Sequence, residues 1–308
     1  MVGMEQRTIL VKIASFRDHE LILTMAAALQ QASHPENIRF AVVNQFDEAT
    51  ERILDPVRAD PRARILEIPW RESRGLGRAR RASDEMYDGE DFTLQIDAHM
   101  RFVRGWDANL IRQWDSLGNE RAVLSTYPGP YRVDAAGAVT ANPAVPHAIV
   151  VQGIDQHGLP AITGGPEVAP FSRGLLVGGC FQFGAGCSTT EVPAQPEVLI
   201  GDVTVHSLRL FTHGFDVVVP AEIPLFHRYA KDKNWNGEAH TPFADFRESR
   251  GLWASFWAAL EESNRVAKDI LGSPQHVAHG TRRSREGFVK LLREYRFDGF
   301  ELPDYVMK

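Results

Sequence analysis

The chain is poor in cysteine, in long apolar runs and in positive charge, and each shortage removes a class of function. Cys180 and Cys187 are the two cysteines among 308 residues, too few for the disulfide framework of a small secreted domain. In their glycine-rich setting both are expected to be small buried residues rather than a redox pair. No apolar run approaches the roughly 18–20 residues of a membrane span. Residues 1–7 hold no long apolar segment of the signal-peptide kind, so a cytoplasmic protein with no membrane partner is expected. Lys and Arg total 34 against 40 Asp and Glu, and the net charge of −6 argues against a nucleic-acid partner. GxSxG, P-loop, HExxH and full GxGxxG motifs are all missing, which leaves hydrolase, kinase and dinucleotide-dehydrogenase readings without a motif. What is present is ordinary globular material, 44% hydrophobic, 9% aromatic and 24% charged, enough for one large core or two smaller ones.

Residues 8–14 form a β-rich run that stops at Ser15-Phe16-Arg17-Asp18. A helical pattern follows over 20–31, with Leu21, Met25, Ala28 and Leu29 on one face. Strands are expected at 39–44, 63–68 and 92–96, and a helix at 78–87. Such alternation implies a mostly parallel α/β sheet, in which ligands collect at the carboxyl ends of the strands. Both 15–18 and 97–101 fall at such ends. A second α/β-like piece opens at 122–127, and the Pro- and Gly-heavy stretch 128–179 reads as short strands and loops framing a substrate-facing wall. Order returns with 180–184, a helix around 203–213 and a strand at 216–219. Residues 246–271 read as one amphipathic helix with Trp253, Phe256, Trp257 and Leu260 on its apolar side. Repeats, low-complexity tracts and linkers are absent, so one catalytic domain over 1–240 with a helical appendage over 241–308 is expected.

The densest chemistry lies in Leu94-Gln95-Ile96-Asp97-Ala98-His99-Met100-Arg101-Phe102. If strand geometry persists beyond Ile96, Asp97 and His99 leave on the same face. A carboxylate beside an imidazole can hold a divalent cation; a surface aspartate and a hydrogen-bonded histidine at a strand end is the plainer alternative. His227, in Pro224-Leu225-Phe226-His227-Arg228-Tyr229, also follows an apolar segment and is the third candidate ligand. Asp97, His99 and His227 form an oxygen/nitrogen set suited to Mn²⁺, with Mg²⁺ as the alternative; zinc is disfavoured without a cysteine ligand cluster. The cation would neutralise a nucleotide diphosphate and make it a better leaving group. Arg71, Arg74, Arg78, Arg80 and Arg81 surround Gly75-Leu76-Gly77. Glycines let the backbone approach an anion and guanidinium forks grip phosphate oxygens, although a solvated arginine face reads the same way. Asp202 opens a helix after Gly201, either as a cap or as an acid/base group or sugar-hydroxyl contact. Glu191 and Asp216 are weaker candidates of that kind.

In order along the chain, these pieces resemble the glycosyltransferase family 60 proteins. The best-known members of that family resemble polypeptide N-acetylglucosaminyltransferases acting on hydroxyproline of the Skp1 protein. The resemblance rests on Ile13-Ala14-Ser15-Phe16-Arg17-Asp18, on Gly75 through Arg80, and on Gln95-Ile96-Asp97-Ala98-His99-Met100-Arg101-Phe102 with Trp106-Asp107. It continues through Phe183-Gly184-Ala185-Gly186, Glu191-Val192-Pro193, Gly201-Asp202, the Arg209-to-Asp216 segment, His227 and Gly280-Thr281-Arg282-Arg283-Ser284. It implies a GT-A-type α/β fold, a mixed, mostly parallel sheet flanked by helices. It also implies a metal-dependent UDP-sugar donor, GlcNAc being the expected sugar. Transfer would retain the anomeric configuration and go to a hydroxyl of a peptide or small-molecule acceptor. The donor half would occupy about 1–120 and the acceptor half about 121–240. By this analogy Ser15, Arg17 and Asp18 line the nucleoside pocket, Gly75 and Arg80 approach the donor's ribose or diphosphate, and Asp97, His99 and His227 serve the metal. Arg101 sits near the acceptor or departing phosphate. Asp202 replaces the first acidic residue of a Gly-Glu-Glu segment, where this chain has Asp202-Val203 instead. A sugar-nucleotide hydrolase, a nucleotidyltransferase and an inactive sugar-nucleotide-binding protein are the competing readings.

Overall fold

The computed structural model describes residues 7–229, 242–249, 251–297 and 299–307. Most of the segment expected to lack a signal peptide, residues 1–6, and the boundary expected at 240/241 lie outside them. The first half alternates as the sequence indicates: β1 (Ile9–Phe16), α1 (Leu21–Gln31), β2 (Ile38–Phe46), β3 (Ala63–Pro69), α2 (Leu76–Asp84) and β4 (Phe92–Ile96). Next come β5 (Met100–Phe102), α3 (Trp106–Ser116) and β6 (Ala122–Leu124). The Pro- and Gly-rich stretch holds β7 (Gly129–Val133), β8 (Val139–Ala141), β9 (His147–Ile154) and β10 (Pro160–Glu167), paired as two antiparallel hairpins. After it follow β11 (Gln182–Ala185), α4 (Cys187–Glu191), α5 (Asp202–Thr212), β12 (Asp216–Val218) and β13 (Leu225–His227). The last described elements are α6 (Pro242–Glu248), α7 (Trp253–Gly272), α8 (Arg285–Leu292) and α9 (Asp304–Met307).

The central sheet has the order β12-β6-β11-β4-β1-β2-β3, all parallel except β11. Strands covered on both faces need apolar residues at successive positions, which is why β1 reads as a nearly unbroken hydrophobic run. Lys12 interrupts it and is buried, its ammonium held by Asp84 at 2.6 Å and the Thr189 hydroxyl at 3.0 Å. A second sheet, β5-β13-β7-β8, sets β13 antiparallel to β5 with His227 opposite Met100. One core packs β1, β2 and β4 on α1 and α3 around fully buried Trp106. Another joins Ile149, Val151, Val205 and Leu208 to Ile270, Leu271, Phe288 and Leu292, so the C-terminal helices share a core with β9 and α5.

Two expectations change. The helix expected over 246–271 is two helices, α6 and α7, separated around Gly251, whose φ of +88° belongs to the left-handed region and cannot continue a right-handed helix. Trp257, expected on the buried face, is 43% exposed, whereas Phe256 and Leu260 are buried.

Candidate active site

Asp97 leaves the carboxyl end of β4, and the 97–99 turn leads directly into β5. The turn is fixed from α1: the buried Thr24 hydroxyl donates to Ala98 O at 2.7 Å and accepts from Met100 N at 2.9 Å. Because β13 pairs with β5, His227 arrives beside this turn from far along the chain. Its Nε2 donates to Asp97 Oδ2 at 3.1 Å, and its ring centroid lies 4.8 Å from that of His99. His99 Nδ1 in turn donates to Asp18 Oδ2 at 2.8 Å. A carboxylate on one imidazole nitrogen is how proteins commonly orient a histidine that binds metal through the other. The structure therefore gathers Asp97, His99 and His227 in one place and adds Asp18 behind His99.

Burial pushes the Asp97 carboxyl upward. The hydrogen bond from His227 and the charges of His99, His227 and Arg80 outweigh it and hold the group well below the usual carboxylate range. Arg80, on α2, pairs with Asp202 and donates to Gly179 O at 3.1 Å. Gln95 Nε2 reaches the same carbonyl at 3.2 Å. Asp202 stands in the first turn of α5 behind Gly201, so the positive end of the helix dipole and the Arg80 guanidinium both favour its charge.

Most of the remaining sequence candidates have protein partners of their own. Asp18 Oδ1 accepts Glu20 N at 3.0 Å at the start of α1, so this carboxylate serves helix and histidine together. Arg17 takes a left-handed backbone (φ +49°), and its guanidinium bridges Asp47 and Asp245 at 2.8 and 2.9 Å over the Trp70 ring. Ser15 is 1% exposed and its hydroxyl is unpartnered among the described residues. It lies opposite Asn44 in the β1–β2 register, and the Asn44 amide is buried and unpartnered in the same sense. Arg101 is drawn to Glu20, which also receives Arg228 at 2.9 Å and the Tyr131 hydroxyl at 3.2 Å. Gly75 and Gly77 have a packing reason to be glycine: added Cβ atoms would collide with the Leu199 side chain and with Gln195 O. Arg74 and Arg78 are exposed, and Arg81 pairs with Glu85 one turn on. Glu191 and Asp216 are engaged by Arg121 and Arg283.

Cys180 is the residue that sequence reasoning missed. β11 runs antiparallel to β4 with Gln182 opposite Gln95, and the turn just ahead of it, closed by the Gly178–Phe181 bridge, brings Cys180 near Asp97. One ligand atom each from Asp97, Cys180 and His227 lies within 4.8 Å of the other two. Ligands on a tetrahedral cation with bonds of ~2.0–2.3 Å lie roughly 3.3–3.8 Å apart, so a modest contraction would close a site. His227 Nδ1, the ring nitrogen not used toward Asp97, is a buried atom without a hydrogen-bond partner among the described residues. Burial, and then the Asp97 charge, push the Cys180 thiol well above its ordinary value. The donor set thus fits a divalent cation. The second cysteine, Cys187, is exposed and not buried as expected, and both thiols are free.

The family model Glycosyltransferase (GlcNAc) matches residues 8–58 and 55–265. The chain belongs to this family. No curated protein matches this glycosyltransferase in sequence. Its fold is that of GT-A glycosyltransferases. It is similar to the crystal structure of GalNAc-T7 with UDP, GalNAc and Mn²⁺, at a TM-score of 0.59 and 15% identity over 93% of this chain. It spans about half of that structure's length, 54%. It is also similar to S. aureus TarS 1-349 in complex with UDP-GlcNAc, at a TM-score of 0.56 and 11% identity, covering 94% of this chain and 71% of that one. Among the described residues, no helix of the glycosyltransferase is long and apolar enough to cross a membrane.

A groove of about 730 Å³ lies between the β9–β10 turn and helices α6 and α7, bordered by Gln156, His157, Trp253, Trp257 and Leu260. Ser263, on the next turn of α7 after Leu260, accepts Leu199 N at 2.7 Å. The half-exposed Trp257 finds its place here, its ring 5.5 Å from that of Trp253.

Proposed function

We propose that this glycosyltransferase is a family 60-type enzyme that moves GlcNAc from UDP-GlcNAc to a hydroxyl of a peptide or small hydroxylated acceptor. Transfer retains the anomeric configuration and depends on a divalent cation, Mn²⁺ with Mg²⁺ as the alternative. The observation that carries the reading is the convergence of Asp97, His99 and His227 at the carboxyl end of β4, within electrostatic reach of Arg80. When bound there, a cation supplies the charge neutralisation that lets a diphosphate depart.

The chain's own residues divide the remaining work. Asp18 fixes the orientation of the His99 ring by accepting Nδ1–H. Arg80 brings a fixed positive charge toward the donor phosphates, and Asp202 and Gly179 O aim it. With its charge committed to Arg80, Asp202 serves as an orienting group and not as a nucleophile. The departing phosphate oxygen then takes the proton of the incoming hydroxyl on the same face of the sugar, a route that depends on positioning more than on a protein base. Arg101, gathered with Arg228 and Tyr131 on Glu20, keeps the β5–β13 pair and hence His227 in place. In this reading the donor half is about 1–120, the acceptor half about 121–240, and 241–308 is an appendage. The groove beside Trp253 and Trp257 receives the acceptor.

UDP release measured over a panel of UDP-sugars, with and without Mn²⁺, tests this. UDP-GlcNAc turnover that requires the cation and is lost in Asp97→Ala supports the reading. No turnover of any UDP-sugar, or turnover indifferent to Asp97, refutes it. Free GlcNAc released equally with and without acceptors would make the protein a sugar-nucleotide hydrolase.

A further inference from the structure

We propose that the groove between the β9–β10 turn and α7 binds a neutral saccharide, so that the acceptor hydroxyl is carried by a sugar. The inference rests on the reading of this groove as the acceptor's and adds the acceptor's chemical class. Along α7, Trp253, Trp257, Glu261 and Asn264 fall at i, i+4, i+8 and i+11, so they share one helix face, and all four border the groove. That face is aromatic at its start and polar towards its middle. The rings of Trp253 and Trp257 are 5.5 Å apart and inclined at 44°, which leaves them unstacked on each other. Trp257 is 43% exposed, and its Nε1 donates to Glu261 Oε1 at 2.8 Å. With the N–H committed and the ring held, what Trp257 offers a ligand is ring surface.

A pyranose ring presents a face of C–H groups and a rim of hydroxyls. The C–H face suits an indole, whose quadrupole is negative over the ring. The rim calls for planar groups that hydrogen-bond in pairs, and the border supplies the Gln156 and Asn264 amides, the Glu261 carboxylate and the Arg247 guanidinium. Asn264 Oδ1 is buried without a hydrogen-bond partner among the described residues, an unmet acceptor at this border. Charge narrows the class further: Arg247 and Glu261 offset one another, which favours an uncharged ligand over a phosphate or an acidic peptide. The volume of about 730 Å³ lies within the roughly 300–1,000 Å³ of small-ligand sites.

The test applies the 308-residue chain to an array of immobilised neutral glycans built from hexoses, N-acetylhexosamines, deoxyhexoses and pentoses. The best-bound glycan is then titrated in free form by calorimetry. The expected result is saturable binding that weakens by about tenfold or more in Trp257→Ala and is largely kept in Trp257→Phe, which retains an aromatic face. With UDP-GlcNAc and Mn²⁺ added, the same glycan should receive the labelled sugar. Circular dichroism and the melting temperature establish that the alanine variant is folded, and Asn264→Ala serves if it is not. No glycan held above the Trp257→Ala background, or equal affinity for the two proteins, overturns the inference. Transfer to a peptide and to no glycan overturns it too. In each of those cases cation-dependent turnover of UDP-GlcNAc leaves the proposed function standing. Glycan binding at Trp257 without turnover of any UDP-sugar overturns that function, and the acceptor role with it.

Discussion

Thr24→Val removes a single hydroxyl and should loosen the turn on which the whole site depends. Thr24 is fully buried; its hydroxyl donates to Ala98 O at 2.7 Å and accepts from Met100 N at 2.9 Å, bracketing His99. Valine keeps the shape but strands a buried carbonyl and a buried amide, each at a penalty of about 1–3 kcal/mol. Allowing for the better burial of a methyl than of a hydroxyl, the net loss should be about 2–4 kcal/mol. With an unfolding entropy of about 2.1 cal/mol/K per residue, that corresponds to a melting temperature lower by roughly 3–6 °C. The functional effect is larger than the stability effect suggests, because Asp97 and His99 flank the freed carbonyl. Cation affinity, measured by calorimetry on the folded variant, should weaken by about tenfold or more. Thr24→Ser, which keeps the hydroxyl and loses a methyl, should retain cation affinity while losing about 1 kcal/mol. A Thr24→Val protein with unchanged melting temperature and unchanged affinity would refute the argument that α1 holds the turn.

Other perturbations separate the remaining roles. Lys12→Met leaves Asp84 as an unpaired buried carboxylate and should cost about 3–5 kcal/mol in urea unfolding, most of it recovered by adding Asp84→Asn; a loss under 1 kcal/mol would show that the pair carries little. Asp202→Asn still accepts from Arg80, so turnover should fall far less than the roughly 10²–10⁴-fold expected on removing a catalytic acid or base. A glycosyl adduct trapped on Asp202 would instead make it a nucleophile. His206, on α5, is held neutral first by burial and then by the charges of Arg209, Lys12 and Arg80. Its folded pKa is depressed, so its share of stability is complete above the unfolded value of about 6.5 and fades as pH falls through that value. His206→Gln should flatten the loss of melting temperature between about pH 7 and pH 5, and an unchanged slope would discard this assignment.

Much of the donor half was legible because its signals are local. β1, β2 and β4 are short apolar runs bounded by polar residues, and a parallel sheet covered on both faces allows little else. Asp97 and His99 stood out because a carboxylate and an imidazole follow such a run at once. The split between α6 and α7 was hidden because the apolar spacing of Phe246, Phe256 and Leu260 runs on through a glycine whose left-handed conformation no spacing reports. Trp257 was misplaced for a related reason: helical periodicity marks an apolar face without saying whether anything covers it.

The amino-acid order by itself determined the α/β alternation, the strand ends at which ligands gather, and the Asp97-Ala98-His99 pair, since each follows from side-chain period and backbone preference over a few residues. Tertiary structure alone decided which distant groups meet them. The antiparallel β13–β5 pairing brings His227 to the turn, the turn ahead of β11 brings Cys180 near Asp97, and an ion pair from α2 to α5 joins Arg80 to Asp202. Strand register is a property of two segments together, fixed by which faces they bury, and neither segment states it alone.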